Sequence, residues 1–313
     1  MTTRVAAIDC GTNSIRLLVA DLPNPGAGPA APLVELSRRL ETVRLGQGVD
    51  RTGRLAPEAI ERTRVALAEY AAEIEKSGAE RVRMCATSAS RDAENAADFR
   101  DMVERTLGVA PEVVTGEEEA RLSFTGAVHG LPAATREPYL VVDIGGGSTE
   151  FVVGTGSGGV EAAVSVDIGC VRMTERHLHG DPPGPAEIAA AEADIALAVD
   201  RALDTVPGRE AATLVGLAGS VTTVVAIAEG LTEYDPQRIQ HARVSYRAVA
   251  DTTADLLAAT RAQRLAIPVM HPGRADVIAA GALVLRVIME RAGMDSVVAS
   301  EHDILDGICY SLR

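Results

Sequence analysis

An α/β protein made of two similar halves is predicted by three features of the sequence. Apolar strand-like runs come first as a group of three and then alternate with helical patterns, the order of a mixed sheet flanked by helices. The segment AIDCGTNSIRLLVAD, from Ala7, lies without a gap over VVDIGGGSTEFVVGT, from Val141. Asp9 then falls on Asp143, Gly11 on Gly145, Ser14 on Ser148 and Val19 on Val153. That offset of 134 residues is too long for a solenoid repeat and suits a duplicated domain. The third feature is composition: 313 residues, 47% apolar and 24% charged, fit one large or two medium globular domains. The expected division is 1–127 and 128–313, with both D-x-G turns opening on one interdomain cleft.

The elements follow in order. Arg4 to Asp9 reads as a strand ending in a carboxylate, Gly11 to Ser14 as a turn, and Arg16 to Asp21 as the returning strand. Pro23 to Pro32 is a Pro/Gly-rich loop before a third strand, Leu33 to Val43. Pro57 opens a helix with Ile60, Leu67, Tyr70 and Ile74 at helical spacing, closed near Gly78. Val82 to Ala86 is a buried strand, Asp92 to Leu107 a helix, Pro111 to Thr115 a strand, and a helix starts at Glu117. The second half opens in the same way at Tyr139. It continues with a strand at Val160 to Val166, a helix at Pro185 to Leu203 and a strand at Thr213 to Leu217. Helices at Tyr246 to Arg261 and Arg274 to Ala292, a strand at Ser296 to Ala299 and a helix from Asp303 complete it.

Composition excludes several functions. The net charge of −14 opposes non-specific binding to nucleic acid or anionic membrane. Aromatics at 3%, with no Trp, supply no stacking platform for single strands. Lys76 is the sole lysine, so P-loop and Schiff-base chemistry are excluded unless Lys76 serves, and no glycine loop precedes it. The cysteines Cys10, Cys85, Cys170 and Cys309 are scattered, as expected of reduced thiols in a cytoplasmic protein. Met1 to Ala7 lacks the features of a secretory leader, and the apolar stretch Val277 to Met289 carries Arg286 and is too short to span a bilayer. His177 and His179 are split across a helix and His302 lies in a helix-capping context, so no zinc site is expected.

The chemistry concentrates in the two turns. Glycines let a backbone approach an anion and aim its N–H groups at it, hydroxyls add donors, and a strand-end Asp holds a cation. One such turn is an ordinary hairpin; two in register, each headed by Asp, point to a phosphate clamp. Gly11, Thr12, Asn13, Ser14, Gly145, Gly146, Gly147, Ser148 and Thr149 form the donor set. Arg16 and Glu150 occupy equivalent positions, so the clamps are not identical. Arg91, in a T-x-A-x-R stretch, offers a fork-shaped donor to a phosphate oxygen, and Arg44 a weaker one. Glu117, Glu118 and Glu119, taken alone, complement a helix N-terminus.

DCGTNSIRLLVA and VVDIGGGSTEFV resemble the two phosphate-binding signatures of the exopolyphosphatase / guanosine pentaphosphate phosphohydrolase (Ppx/GppA) family, short two-domain form. VRLGQGV, ATSASRDAENAADF, TGEEEARLSFTGAV, IGCVRMTE, LAGSVTT, YDPQRIQH and RADVIAAG extend the resemblance, in order, along essentially the whole chain. It implies two ribonuclease-H-like domains of the actin/hexokinase/heat-shock-chaperone superfamily. It also implies a cytoplasmic phosphohydrolase that removes the terminal phosphate of polyphosphate or guanosine pentaphosphate, with a homodimer as the family-level expectation. The glutamate before Ala-Arg, here Glu119, is implied as the base that activates water. A carboxylate near a polyanion is the better base for its like-charge surroundings. Asp143 and Glu150 suit Mg²⁺ (or Mn²⁺), which takes few protein carboxylates, and Asp9 is a further candidate. Ala218 to Thr223 resembles the nucleoside-side turn of the superfamily or simply caps a helix. The alternatives are a sensor that binds guanosine tetraphosphate with little hydrolysis, and an ATP-dependent sugar or acetate kinase of the same fold.

Overall fold

A computed structural model describes residues 2–23, 31–157 and 159–313. The loop expected at Pro23 to Pro32 falls mainly on residues 24–30, outside the described residues. The chain divides into two compact units, residues 1–130 with 303–313, and residues 131–302.

The first unit is built on β1 (Thr3–Cys10), β2 (Ser14–Leu22), β3 (Val34–Thr42), β4 (Arg81–Ala86) and β5 (Glu112–Val113), in the order β3-β2-β1-β4-β5. The first three strands are antiparallel; β4 and β5 run parallel to β1. Successive side chains of a strand face opposite ways, so central β1 supplies two cores. Ala6 and Ile8 join Leu67, Tyr70, Phe99 and Val103 on one face. Those partners come from α2 (Pro57–Ser77) and α4 (Ala96–Leu107), while α1 (Val49–Thr52) and α3 (Ser88–Asp92) are single turns. Val5 and Ala7 join Leu122, Ile304, Leu305 and Ile308 on the other face. These belong to α5 (Gly116–Val128) and the final helix, α13 (Ile304–Tyr310).

That second face corrects the expected division at 127/128. The last residues belong with the first unit because β1 needs an apolar cover that α5 alone does not supply.

The second unit repeats the plan. β6 (Tyr139–Ile144), β7 (Thr149–Thr155), β8 (Gly159–Val166), β9 (Thr213–Leu217), β10 (Arg243–Ser245) and β11 (Ser296–Ala299) pair in the order β10-β11-β9-β6-β7-β8. Read from β8, three antiparallel strands are again followed by two parallel ones, with β10 added antiparallel at the edge. α6 (Cys170–His177), α7 (Pro185–Thr205), α8 (Ala218–Ala228), α9 (Pro236–Ile239), α10 (Tyr246–Ala258), α11 (Arg261–Leu265) and α12 (Ile278–Ala292) complete the unit. The apolar Val277 to Met289 stretch is α12, buried on nearly every side. No helix among the described residues is long and apolar enough to cross a membrane.

Several expected helices break where side chains claim the backbone. Asp92 to Leu107 is interrupted because Asn95 bonds both the N–H and the carbonyl of Leu55, at 2.8 and 3.1 Å. Tyr246 to Arg261 stops at Ala258, and Thr260 starts α11 with a capping box to Gln263. The Arg274 to Ala292 helix begins only at Ile278, and the Pro111 to Thr115 strand shrinks to two residues. His179 lies beyond the end of α6, so the two histidines do not share a helix. Before the last helix it is Asp303 that caps, its carboxylate accepting from the Leu305 N–H at 3.0 Å.

Candidate active site

Two acid-headed turns have the same construction. In the first unit the Gly11 N–H donates to the Ser14 carbonyl at 3.0 Å; in the second the Gly145 N–H donates to the Ser148 carbonyl at 3.0 Å. Across the strands Asp9 faces Arg16 and Asp143 faces Glu150. The aligned segments therefore fold into equivalent hairpins whose cross-strand partners, Arg16 and Glu150, carry opposite charge.

The first turn is held from its flanks. The Thr12 hydroxyl meets that of Ser88 at 2.9 Å. The Thr12 carbonyl accepts from Gly46, and the Asn13 carbonyl accepts from Val43 and Arg44. A side chain at Gly46 would collide with the Thr12 methyl, so only glycine lets these segments meet. Arg44 sits at φ 51 and supports the turn with its backbone.

Arg16 is not presented as an open phosphate donor. Its Nε and NH2 donate to Asp9 Oδ2 at 3.1 and 2.7 Å, and its NH1 donates to Asp303 Oδ2. Burial works against the Arg16 charge, yet Asp303 and Asp9 hold the guanidinium pKa well above its usual value. Burial also opposes ionisation of Asp303, but Arg16 and Arg38 bring its pKa below the ordinary range. Burial pushes the Asp9 carboxyl up despite Arg16. Asp9 Oδ1 is buried with no hydrogen-bond partner among the described residues. Asp303 is a partner that sequence reasoning missed, since 287 residues separate it from Arg16 and no local pattern links them.

Glu119 and Arg91, picked from separate motifs, come together. Arg91 NH1 donates to Glu119 Oε2 at 3.2 Å and to the Val114 carbonyl at 3.0 Å. Thr115 caps α5 by accepting from the Glu118 N–H, which starts the helix so that the third glutamate turns inward. Glu119 is 8% exposed. Glu117 pairs with Arg121 on the surface and Glu118 reaches Arg83, ordinary first-turn roles.

The second turn is braced by α6. The N–H groups of Cys170, Val171 and Arg172 donate to the carbonyls of Gly145 and Gly146, and Arg172 Nε donates to the Gly147 carbonyl at 2.7 Å. The Thr149 hydroxyl donates to the Ile168 carbonyl, and Ser165 donates to Glu150 Oε1 at 2.7 Å. Asp143 and Glu150 are buried, as are Ser148 and Thr149. At Gly169 a Cβ would lie 2.5 Å from the Gly146 carbonyl carbon and oxygen. Gly169→Ala is thus expected to displace the Gly146 backbone and, for the phosphohydrolase that the resemblance implies, to lower kcat/KM about 100-fold. The melting temperature should fall as well, by up to about 10 °C, since the clash is with backbone rather than a movable side chain. Steady-state kinetics beside calorimetry checks this, and unchanged kinetics would separate the turn from the chemistry.

These carboxylates suit a hard divalent cation. Among the described residues no three His, Cys, Asp or Glu side chains gather into a ready-made cage. Mg²⁺ does not require one, because it retains waters and takes phosphate oxygens beside one or two carboxylates. The orphaned Asp9 oxygen and the Asp143–Glu150 pair are donors of the right chemistry.

Ala218 to Thr223 forms the start of α8, with Ala218 at φ 66. Arg274 lies over Gly219, where a Cβ has no room, and donates to the Thr223 hydroxyl at 3.0 Å. The Tyr234 hydroxyl donates to Glu301 Oε1 and accepts from the Thr222 hydroxyl, both at 2.7 Å. Tyr234 and Arg274 lie in stretches that carry the resemblance, but neither they nor Glu301 stand out by spacing or residue type.

The two sheets, each carrying an acid-headed hairpin, repeat one α/β plan, that of the two-domain actin-like fold. The pattern of the Ppx/GppA phosphatase family matches residues 27–313, and the chain belongs to that family. It is 52% identical over 320 residues to Exopolyphosphatase 2 of Mycobacterium tuberculosis, covering 99% of this chain and 98% of that protein. A solved exopolyphosphatase-like protein superposes with a TM-score of 0.93 at 44% identity, covering 99% of this chain and 98% of that one. The Ppx/GppA member of Aquifex aeolicus gives 0.82 at 30% identity, covering 100% and 98%.

Proposed function

We propose that this chain is a divalent-cation-dependent exopolyphosphatase that hydrolyses the terminal phosphoanhydride of inorganic polyphosphate, with guanosine pentaphosphate as a second substrate. The observation that carries the reading is the buried Glu119 carboxylate held by Arg91, in a chain 52% identical to Exopolyphosphatase 2.

Glu119 accepts a proton from water as the water oxygen bonds to the end phosphorus. The bridging P–O bond breaks, orthophosphate departs, and the shortened chain keeps the bridging oxygen. Arg91 orients the carboxylate and, with its remaining N–H groups, meets a phosphate oxygen. The turn residues Thr12 to Ser14 in the first unit, and Gly146 to Ser148 in the second, are each suited to offer further donors to phosphate oxygens. Asp143 and Glu150 in the second unit, and Asp9 in the first, are each candidates that would hold Mg²⁺ or Mn²⁺. When bound, the ion neutralises charge on the reacting phosphate. Arginine carries almost all the positive charge of this acidic chain, which suits forked recognition of phosphate.

The test is orthophosphate release from polyphosphates of graded length, with guanosine pentaphosphate beside them and Mg²⁺ present or chelated. Release from polyphosphate that stops with the chelator is the expected result. Tight binding of guanosine tetraphosphate with no release from any substrate would replace the enzyme with a sensor.

A further inference from the structure

We propose that Asp303 is a positioning residue that holds Arg16 so that Asp9 stays open to a divalent cation. This rests on the hydrolase reading above, whose cation it concerns.

Asp9 and Asp303 share one guanidinium. Nε and NH2 of Arg16 both address Asp9 Oδ2, while NH1 is engaged by Asp303 Oδ2. A guanidinium beside a lone carboxylate ordinarily forms a fork onto both oxygens. Here the pull of Asp303 on NH1 prevents that rotation, and Asp9 Oδ1 is left buried with no hydrogen-bond partner among the described residues. The three groups carry one net negative charge.

Asp303 is itself well anchored. Its Oδ1 caps α13 through the Leu305 N–H at 3.0 Å, and its own N–H donates to Asp306 Oδ2 at 3.1 Å. The neighbouring cation, Arg38, is committed to Asp306 and Glu35, each at 2.8 Å. An anchored carboxylate on one side and an orphaned oxygen on the other make the Asp9 edge a place for positive charge.

Asp303→Asn keeps the cap, since Asn serves that position as well as Asp, and removes the charge that draws NH1. Mn²⁺ binding, read by electron paramagnetic resonance without substrate, should weaken about ten-fold. In an Arg16→Met background the same change should have no effect, because no guanidinium remains to be diverted. Affinity equal to wild type in Asp303→Asn overturns the assignment, as does an equal loss in the Arg16→Met background. Asp303→Ser, a second cap-preserving change, replaces the Asn variant if that fails to fold. Unfolding of both makes the residue structural and overturns the proposal. Wild-type protein that binds Mn²⁺ but releases no phosphate sinks the hydrolase reading and leaves the Asp303 comparison intact; wild type that binds no Mn²⁺ ends the proposal.

Discussion

Glu119→Gln is expected to lower phosphate release by about 10³-fold, within the range of a lost general base, while the fold is retained. Gln has nearly the same shape, and its amide oxygen can still accept the Arg91 N–H that now reaches Oε2. Burying a neutral amide where a carboxylate lay is not costly when a donor already faces it. The missing element is the lone pair that takes the proton from water. Glu118→Gln is the matched control, one residue away on a far more exposed side chain, and should leave turnover near wild type. Phosphate release and thermal melts on both variants check this. Undiminished turnover in Glu119→Gln would remove that residue from the mechanism.

Gly307→Ala carries the second large effect, on the fold itself. A Cβ at Gly307 would lie 2.7 Å from the Leu122 carbonyl carbon and closer still to its oxygen. On the facing helix, a Cβ at Gly126 would lie 2.7 Å from the Asp303 carbonyl carbon. α5 and α13 thus meet backbone to backbone through reciprocal glycines. One methyl forces them apart, and overpacking of that kind costs about 3 kcal/mol, or roughly 10 °C in melting temperature. Because α5 carries Glu119 and α13 follows Asp303, activity should fall even where the chain remains folded. Differential scanning calorimetry reads the first effect and phosphate release at low temperature the second. A melting temperature within 2 °C of wild type would show that the helices separate freely.

The duplicated hairpins were legible because their information is local. Asp, Gly and Ser at fixed spacing define each turn, and the cross-strand partners Arg16 and Glu150 follow from strand register alone. Helices announced by Pro57 and Pro185 were legible for the same reason. Asn95 was not, because its effect depends on Leu55, 40 residues away. α8 was missed since its residues, rich in Val and Thr, carry little helical signal and are held by packing, and α6 because its eight residues give a helical period little room to show. Glu119 was separable from Glu117 and Glu118 only through the resemblance, as burial is a tertiary property. The commitment of Arg16 to Asp303, and the place of the last helix, depend on contacts between opposite ends of the chain.

The discontinuous first unit also sets the order in which the protein can mature on a ribosome. Residues 131–302 form a contiguous unit with a sheet and core of their own, so they can fold as soon as they emerge. Residues 1–130 emerge earlier yet must wait with one side of β1 only partly covered, by α5, until residues 303–313 arrive. During that interval the nascent chain exposes a greasy flank, the kind of surface that chaperones engage.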